Sequence, residues 1–398
     1  VMSFNNDVYF YQKGHQPLIS VAGTSTLTGL TSTGGNSAPQ GNEVLAAFGR
    51  VWTADLTNNK YIVYWSSLLA GDDWHGGSSG SVDLTSVWPT GYDEVVSLAE
   101  HNGFLIIFGK KNIIIYTGAE SPTSGLTLSD TIEGVGCVAR DSVQSTGSDL
   151  FFLSSRGVMS LGRVIQEKSL PLNDISKNVR TDLLQTLALE AHINGTREEI
   201  KSIYSPIDAF YLITFPLSKI VYCFDLRQPL ENGAYRATTW SNIEPIAFSI
   251  FANDHLLMGH SEGIVEYATH LDGTDQYQMR YFSNILDFGN AANLKFLKKF
   301  NVTIIGGQNT NATLNWGYDY TNSFTKQVLV FGTSATSAEY GVAQYNIAEY
   351  VASGIINTPK VNTSGSGEVV TIGIEAEING SPFSIQKIDI HALLGRLI

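Results

Sequence analysis

Short apolar runs separated by Gly, Asn, Asp and Ser recur along the first two thirds of the chain, a pattern of strands and tight turns. The clearest unit spans residues 94–118. Val95-Val96-Ser97-Leu98 reads as one strand. Asn102-Gly103 reads as a hairpin turn, because Gly takes positive φ at little cost. Residues 104–108 (FLIIF) return, the polar stretch 109–112 (GKKN) turns again, and 113–116 (IIIY) form a third strand.

The same outline recurs with starts near residues 44, 95, 141, 200 and 245, at spacings of about 45–60. One such meander cannot cover both of its own faces, so neighbouring meanders must stack. The expected fold is mainly β: an irregular β-propeller of five to seven blades over residues 1–272, with strands near 7–12 and 17–21 supplying a partial blade or a closing strand. One segment has helical rather than strand spacing. Ile175, Val179, Leu183, Leu184, Leu187 and Ala191 predict an inserted helix over 173–192, capped by Asn173 or Asp174 and ended by Asn194-Gly195. Residues 24–42, rich in Gly, Ser and Thr, read as a mobile loop or arm. From 273 to 398 the runs lengthen and alternate, which predicts a separate C-terminal antiparallel β domain with a platform-like form.

Composition narrows the function. The chain has 398 residues, 43% of them hydrophobic and only 15% charged, with 24 basic against 37 acidic residues and a net charge of −13. A sizeable core is expected, and strong general affinity for nucleic acid is not, because phosphate contacts need clustered Lys and Arg. Two cysteines, Cys137 and Cys223, exclude a disulfide-dense scaffold; they read as two unpaired buried thiols, with a single bridge between them as the alternative. No apolar run approaches the length of a membrane helix, so this chain is expected not to insert into a membrane. No basic-then-apolar leader opens it, and the first residue, Val1, is compatible with a piece upstream.

Candidate chemistry is sparse. Asp72-Asp73-Trp74-His75 could suit sugar binding or hydrolysis, but adjacent residues in extended chain point to opposite sides. His255 and His260 could converge on a metal only across a tight hairpin, and no third ligand is near them. Asp272-Gly273-Thr274-Asp275 lacks the further carboxylates of a calcium loop and reads as a turn. Lys295, Lys298 and Lys299 form a small basic cluster that reads as a solvated face or subunit contact. Asn194, Asn301, Asn311 and Asn362 head glycosylation sequons that matter only in a glycosylating cell. Phosphate loops, nucleophile elbows and Cys-x-x-Cys pairs are absent from the sequence. No catalytic, cofactor-binding or metal residue is therefore assigned, and no cofactor is expected.

Several segments taken together resemble a known family. Residues 93–110 (DEVVSLAEHNGFLIIFGK), 136–143 (GCVARDSV) and 150–157 (LFFLSSRG) resemble the central region of the tail nozzle proteins of short-tailed bacteriophages, also called tail tubular protein B or stabilisation proteins. Residues 64–67 (YWSS) with 72–74 (DDW) resemble that family's Trp-Ser loop, and 383–390 (FSIQKIDI) with Gly395-Arg396 its closing strand. The resemblance covers about half the chain in patches, and its motifs are mostly hydrophobic and structural.

The resemblance implies a non-enzymatic virion protein with a propeller and a platform-like β domain. It implies a hexameric ring below the portal and adaptor, with the adaptor and tail fibres as partners. Genome DNA would pass through the lumen without specific binding, and assembly would take place in the host cytoplasm. A weakly charged, acidic β protein suits such a conduit, since lumen carboxylates reduce phosphate binding. Two other readings stay open: a carbohydrate-binding or glycan-hydrolysing propeller, and a monomeric protein-interaction propeller.

Overall fold

The computed structural model describes residues 1–398 apart from 33–36, 168–173, 195–198, 242, 252–253, 262, 269, 291, 308–309, 322, 332–355 and 398. The chain divides into two compact units, Val1–Tyr267 and Ala268–Ile398.

Among the described residues the first unit is a succession of six antiparallel meanders. The first contains Met2–Phe4, Asp7–Phe10, Leu18–Ser20 and Thr28–Gly29. The second contains Glu43–Ala47, Arg50–Ala54, Ile62–Trp65 and Gly80–Asp83. The third contains Val95–His101, Phe104–Gly109, Ile113–Thr117 and Thr127–Ile132. Gln144–Ser145, Leu150–Ser154 and Gly157–Ser160 make the fourth. Lys201–Ser205, Phe210–Phe215, Ile220–Asp225 and Arg236–Ser241 make the fifth, and Ala247–Phe251, His255–His260 and Gly263–Glu266 the sixth.

The near-continuous apolar strands follow from stacking on both faces. Along Phe104–Gly109, Leu105 and Ile107 enter the core shared with the second meander, around Trp52 and Trp65. Ile106 and Phe108 point the other way, into the core shared with Leu150 and Phe152 of the fourth. Phe151 and Leu153 in turn face Tyr211, Ile213 and Phe215 of the fifth, and Leu212 faces Leu256 of the sixth. Period-2 side-chain alternation thus feeds a different core from each face of one strand. Each fully buried Ile, Leu or Phe contributes roughly 1.5–3 kcal/mol of transfer free energy. The turn at Asn102-Gly103 has both residues at positive φ, +52° and +79°, the mirror-image turn that matches strand twist.

The propeller expectation is overturned. Among the described residues the strands partition into eight separate antiparallel sheets of three to five strands, and no sheet is closed into a barrel or propeller. The hydrophobic runs reported meanders buried on both faces, and stacking neighbours in series satisfies that burial. Run spacing carries no information about closure.

The inserted helix is shorter than expected and is not the only one. It spans Arg180–Asn194, and short helices occur at Pro122–Gly125 and Leu161–Glu167, with a 3-10 turn at Arg140–Ser142. Residues 175–179 form turns because their polar groups are engaged elsewhere. Ile175 donates to Val158 O at 3.1 Å and accepts from Tyr235 N at 3.1 Å, while the buried Asp174 carboxylate pairs with Arg180. The expected cap Asn173 and the stop at Gly195 lie outside the described residues. The expected loop 24–42 is partly built into the core: Thr28–Gly29 is the edge strand of the first sheet, and Leu30 and Ala38 are buried against Tyr9, Val51 and Trp74.

The second unit is two antiparallel sheets sharing one core. In one, Asn293–Gly306 pairs along nearly its whole length with Phe383–Leu397, and Ile356–Asn357, Lys360–Asn362 and Ser366–Gly367 pair with its other edge. The other runs in the order Tyr277–Phe282, Val370–Ile378, Asn311–Tyr318, Thr325–Leu329. Phe300, Val302 and Ile304 from the first meet Leu314, Trp316, Ile372 and Ile374 from the second.

Candidate functional site

One polar construction in the first unit joins its second to fifth meanders. Glu43, the first residue of its strand, is 8% exposed. Its Oε1 accepts Ser97 Oγ at 3.0 Å and Leu98 N at 2.8 Å from the third meander. Its Oε2 lies 3.8 Å from Arg140 Nε, on the 3-10 turn before the fourth. Arg140 Nη1 donates to Asn42 O at 2.8 Å and Asn42 Oδ1 at 2.7 Å. Arg140 also grips Asp141 with two hydrogen bonds of 2.8 Å. Asp141 pairs in turn with Lys201 of the fifth meander, and Ser202 Oγ donates to Asp141 O at 2.7 Å.

Acidic and basic groups therefore alternate along Glu43, Arg140, Asp141 and Lys201. Burial pushes the Glu43 carboxyl up to about 8, against the opposing pull of the Leu98 N–H, Arg140 and Ser97. Burial also acts upward on Asp141, but the hydrogen bonds and charges of Arg140 and Lys201 outweigh it and hold that carboxyl below its ordinary range. Beside this line lies a depression of about 500 Å³, lined by Asn42, Arg140, Glu199, Lys201, Pro216 and Ile246. The arrangement ties four meanders together and lines the depression with Arg140 and Lys201, beside the acid Glu199. Among the described residues it contains no nucleophile positioned against a base.

The residues singled out in the sequence do not converge. Trp74 is buried against Tyr9 and Val51. Asp73 folds back on its own loop, accepting Gly76 N at 2.7 Å and His75 N at 3.2 Å, while Asp72 is exposed. His75 Nδ1 lies 3.0 Å from Ser32 Oγ. The two aspartates thus do different work and do not form a carboxylate pair over one substrate. His255 pairs with Glu266 across its hairpin, and His260 sits opposite Gly263. Among the described residues, no group of three or more His, Cys, Asp or Glu side chains could hold a metal ion.

Asp272 and Asp275 exchange two main-chain hydrogen bonds of 2.9 Å around Gly273, a tight turn. The basic cluster is split. Lys298 is exposed, but Lys295 is fully buried, its ammonium donated to Asn290 O and to Glu368 O. Cys137 and Cys223 are both free and buried, and burial pushes each thiol up to about 12.

Sequence reasoning missed Glu43, Arg140, Asp141 and Lys201. The available signal was Arg140-Asp141 itself, a charged pair inside the stretch 136–143 of a chain with few charges. Its partners lie about 60 and 98 residues away, beyond any local pattern.

No protein-family model matches the chain, and no curated protein matches it. Solved structures match with low similarity. The AfRom2 CNH domain is 12% identical, with a TM-score of 0.33, over 62% of this chain and 72% of that one. YCF48 bound to D1 peptide is 10% identical, with a TM-score of 0.38, over 66% and 72%. PorZ, a surface component of the type-IX secretion system of Porphyromonas gingivalis, is 10% identical, with a TM-score of 0.36, over 66% of this chain and 29% of that one.

Proposed function

We propose that this chain is a structural, non-enzymatic subunit of a phage tail nozzle. It forms a ring around the DNA exit channel, below the portal and adaptor of a short-tailed virion. It is made in the cytoplasm of the bacterial host and reaches its site by docking on the adaptor, with tail fibres as further neighbours.

The observation that supports this reading most is how the segments carrying the resemblance use their polar groups. Asp93 is 3% exposed and accepts five hydrogen bonds, from the N–H groups of Glu94, Lys110, Lys111 and Asn112 and from Asn112 Nδ2, at 2.9–3.0 Å. Ser142 Oγ donates to Ala139 O at 2.6 Å and accepts from Leu153 N at 3.0 Å. These groups are spent on the chain's own backbone, as a load-carrying scaffold requires and as a catalytic site does not. The net charge of −13 is of the sign that lets phosphate pass without retention.

Co-sedimentation with a purified portal–adaptor complex of a short-tailed phage tests the reading. Stoichiometric binding is expected, and a chain left wholly in the supernatant would contradict it.

A further inference from the structure

The hairpin turn at Asn102-Gly103 joins Val95–His101 to Phe104–Gly109, and both turn residues are exposed. An Asn-Gly dipeptide carries its own reactive pair. The glycine main-chain nitrogen can attack the asparagine side-chain carbonyl carbon, because no side chain on the glycine crowds the approach. Two conditions limit that attack: the N–H must lose its proton, and the carboxamide must be held near the nitrogen. The neighbours of this turn bear on both. Gly103 N donates to Glu100 Oε1 at 3.0 Å, so the proton that has to leave already points at a carboxylate. Asn102 Nδ2 lies 3.0 Å from His101 Nε2, which holds the side-chain amide beside the turn. Glu100 is exposed as well, so water reaches the site.

Two further Asn-Gly pairs lie among the described residues, at Asn232-Gly233 and Asn379-Gly380, and they are held differently. Gly233 N donates to Leu230 O at 2.8 Å, and Gly380 N donates to His270 O at 3.0 Å. A main-chain carbonyl is a far weaker base than a carboxylate and does not take an amide proton. The Asn232 carboxamide is also tied at both ends: its Nδ2 donates to Asn178 Oδ1 at 2.8 Å, and its Oδ1 accepts Ala234 N at 3.1 Å. The same dipeptide therefore sits in three settings, and of these three the N–H faces a carboxylate at Gly103 alone.

We propose that Asn102-Gly103 is a self-modifying site, at which Glu100 is the base for closure of a succinimide ring. Gly103 N forms a bond to Asn102 Cγ and passes its proton to Glu100. The Cγ–Nδ2 bond then breaks, and the side-chain nitrogen takes up that proton and leaves as ammonia. Water opens the ring at one carbonyl or the other, leaving an aspartyl or an isoaspartyl residue at position 102. Glu100 ends as it began, and water is the one co-reactant. Either product adds a negative charge beside Glu100 on an exposed turn. The isoaspartyl product also lengthens the main chain by one carbon, which breaks the match between a two-residue turn and the twist of its strands. The pair Phe104 and His101, next to the turn, loosens first. The inference is independent of the nozzle reading.

Peptide mapping by mass spectrometry of the full folded chain, kept warm at mildly alkaline pH and sampled over time, tests the site. Position 102 is expected to convert about tenfold faster than Asn232 and Asn379, in step with release of ammonia. Glu100→Gln keeps an acceptor for the Gly103 N–H but cannot take its proton. It is expected to slow conversion at position 102 about tenfold and to leave the other two positions unchanged. Glu100 is exposed, so unchanged thermal melting verifies that the variant folds. Conversion at position 102 no faster than at Asn232 and Asn379, or unaltered by Glu100→Gln, would overturn the proposal.

Discussion

Leu98 donates its main-chain N–H to Oε1 of the Glu43 carboxyl group at 2.8 Å, across 55 residues of sequence. One buried acid thereby fixes the second meander to the third, and Arg140, at 3.8 Å from its other oxygen, extends the tie toward the fourth and fifth. The stacking of successive sheets depends on such polar ties as well as on apolar burial.

Glu43 makes stability depend on pH. Its carboxyl is raised from the ordinary range to about 8, so between about pH 5 and 8 the folded chain holds a proton that the unfolded chain has released. Stability from this group is present below that window and falls as pH rises through it. The charged side chains acting on it are Arg140 and Asp141. Glu43→Gln should gain stability relative to wild type as pH rises across the window, by at most about 1.4 kcal/mol per pH unit, and level off above it. Urea unfolding of both proteins from pH 5 to 9 checks this; a constant difference would contradict it.

Asp93→Ala should destabilise the first unit by about 3 kcal/mol or more, because it strands buried donors in the 109–112 turn. Asp93→Asn should cost nearly as much, since its amide points a donor at other donors. Melting curves of the two variants provide the check, and a loss below about 1 kcal/mol for both would refute the role given to this carboxylate.

Cys137 and Cys223 should resist modification in the folded protein. Both are buried, and the nucleophilic thiolate is scarce when the thiol is raised to about 12. A disulfide reagent at pH 8 should titrate about two thiols quickly only after denaturation. Fast labelling without denaturant would show that the cores around Phe152 and Leu212 open readily.

Lys295→Ala should destabilise the second unit by about 2–4 kcal/mol, since it removes a buried stem and leaves the carbonyls of Asn290 and Glu368 without their donor. Lys298→Ala, at an exposed position of the same strand, should change stability by less than about 0.5 kcal/mol. Paired thermal melts decide it; equal effects would contradict the buried role of Lys295.

Much of the local structure was legible because strand and turn chemistry is local. The Asn102-Gly103 turn and the runs at 104–108 and 113–116 appear where their residues require. Closure was not legible, because alternating burial in Leu105, Ile106 and Ile107 reports two covered faces and nothing about how a series of sheets ends. The start of the Arg180–Asn194 helix was misplaced because Ile175 and Val179 carry helical spacing while Asp174 and Ile175 spend their polar groups on turns. The charged tie through Glu43, Arg140, Asp141 and Lys201 escaped notice because its members meet only after four meanders stack.

The most direct test of the nozzle reading is the mass of the purified chain by light scattering, with negative-stain images of the same sample, alone and after addition of an adaptor ring. A closed ring of about six subunits with a central hole is the predicted result. A monomer in both preparations, with no ring in either set of images, would contradict it.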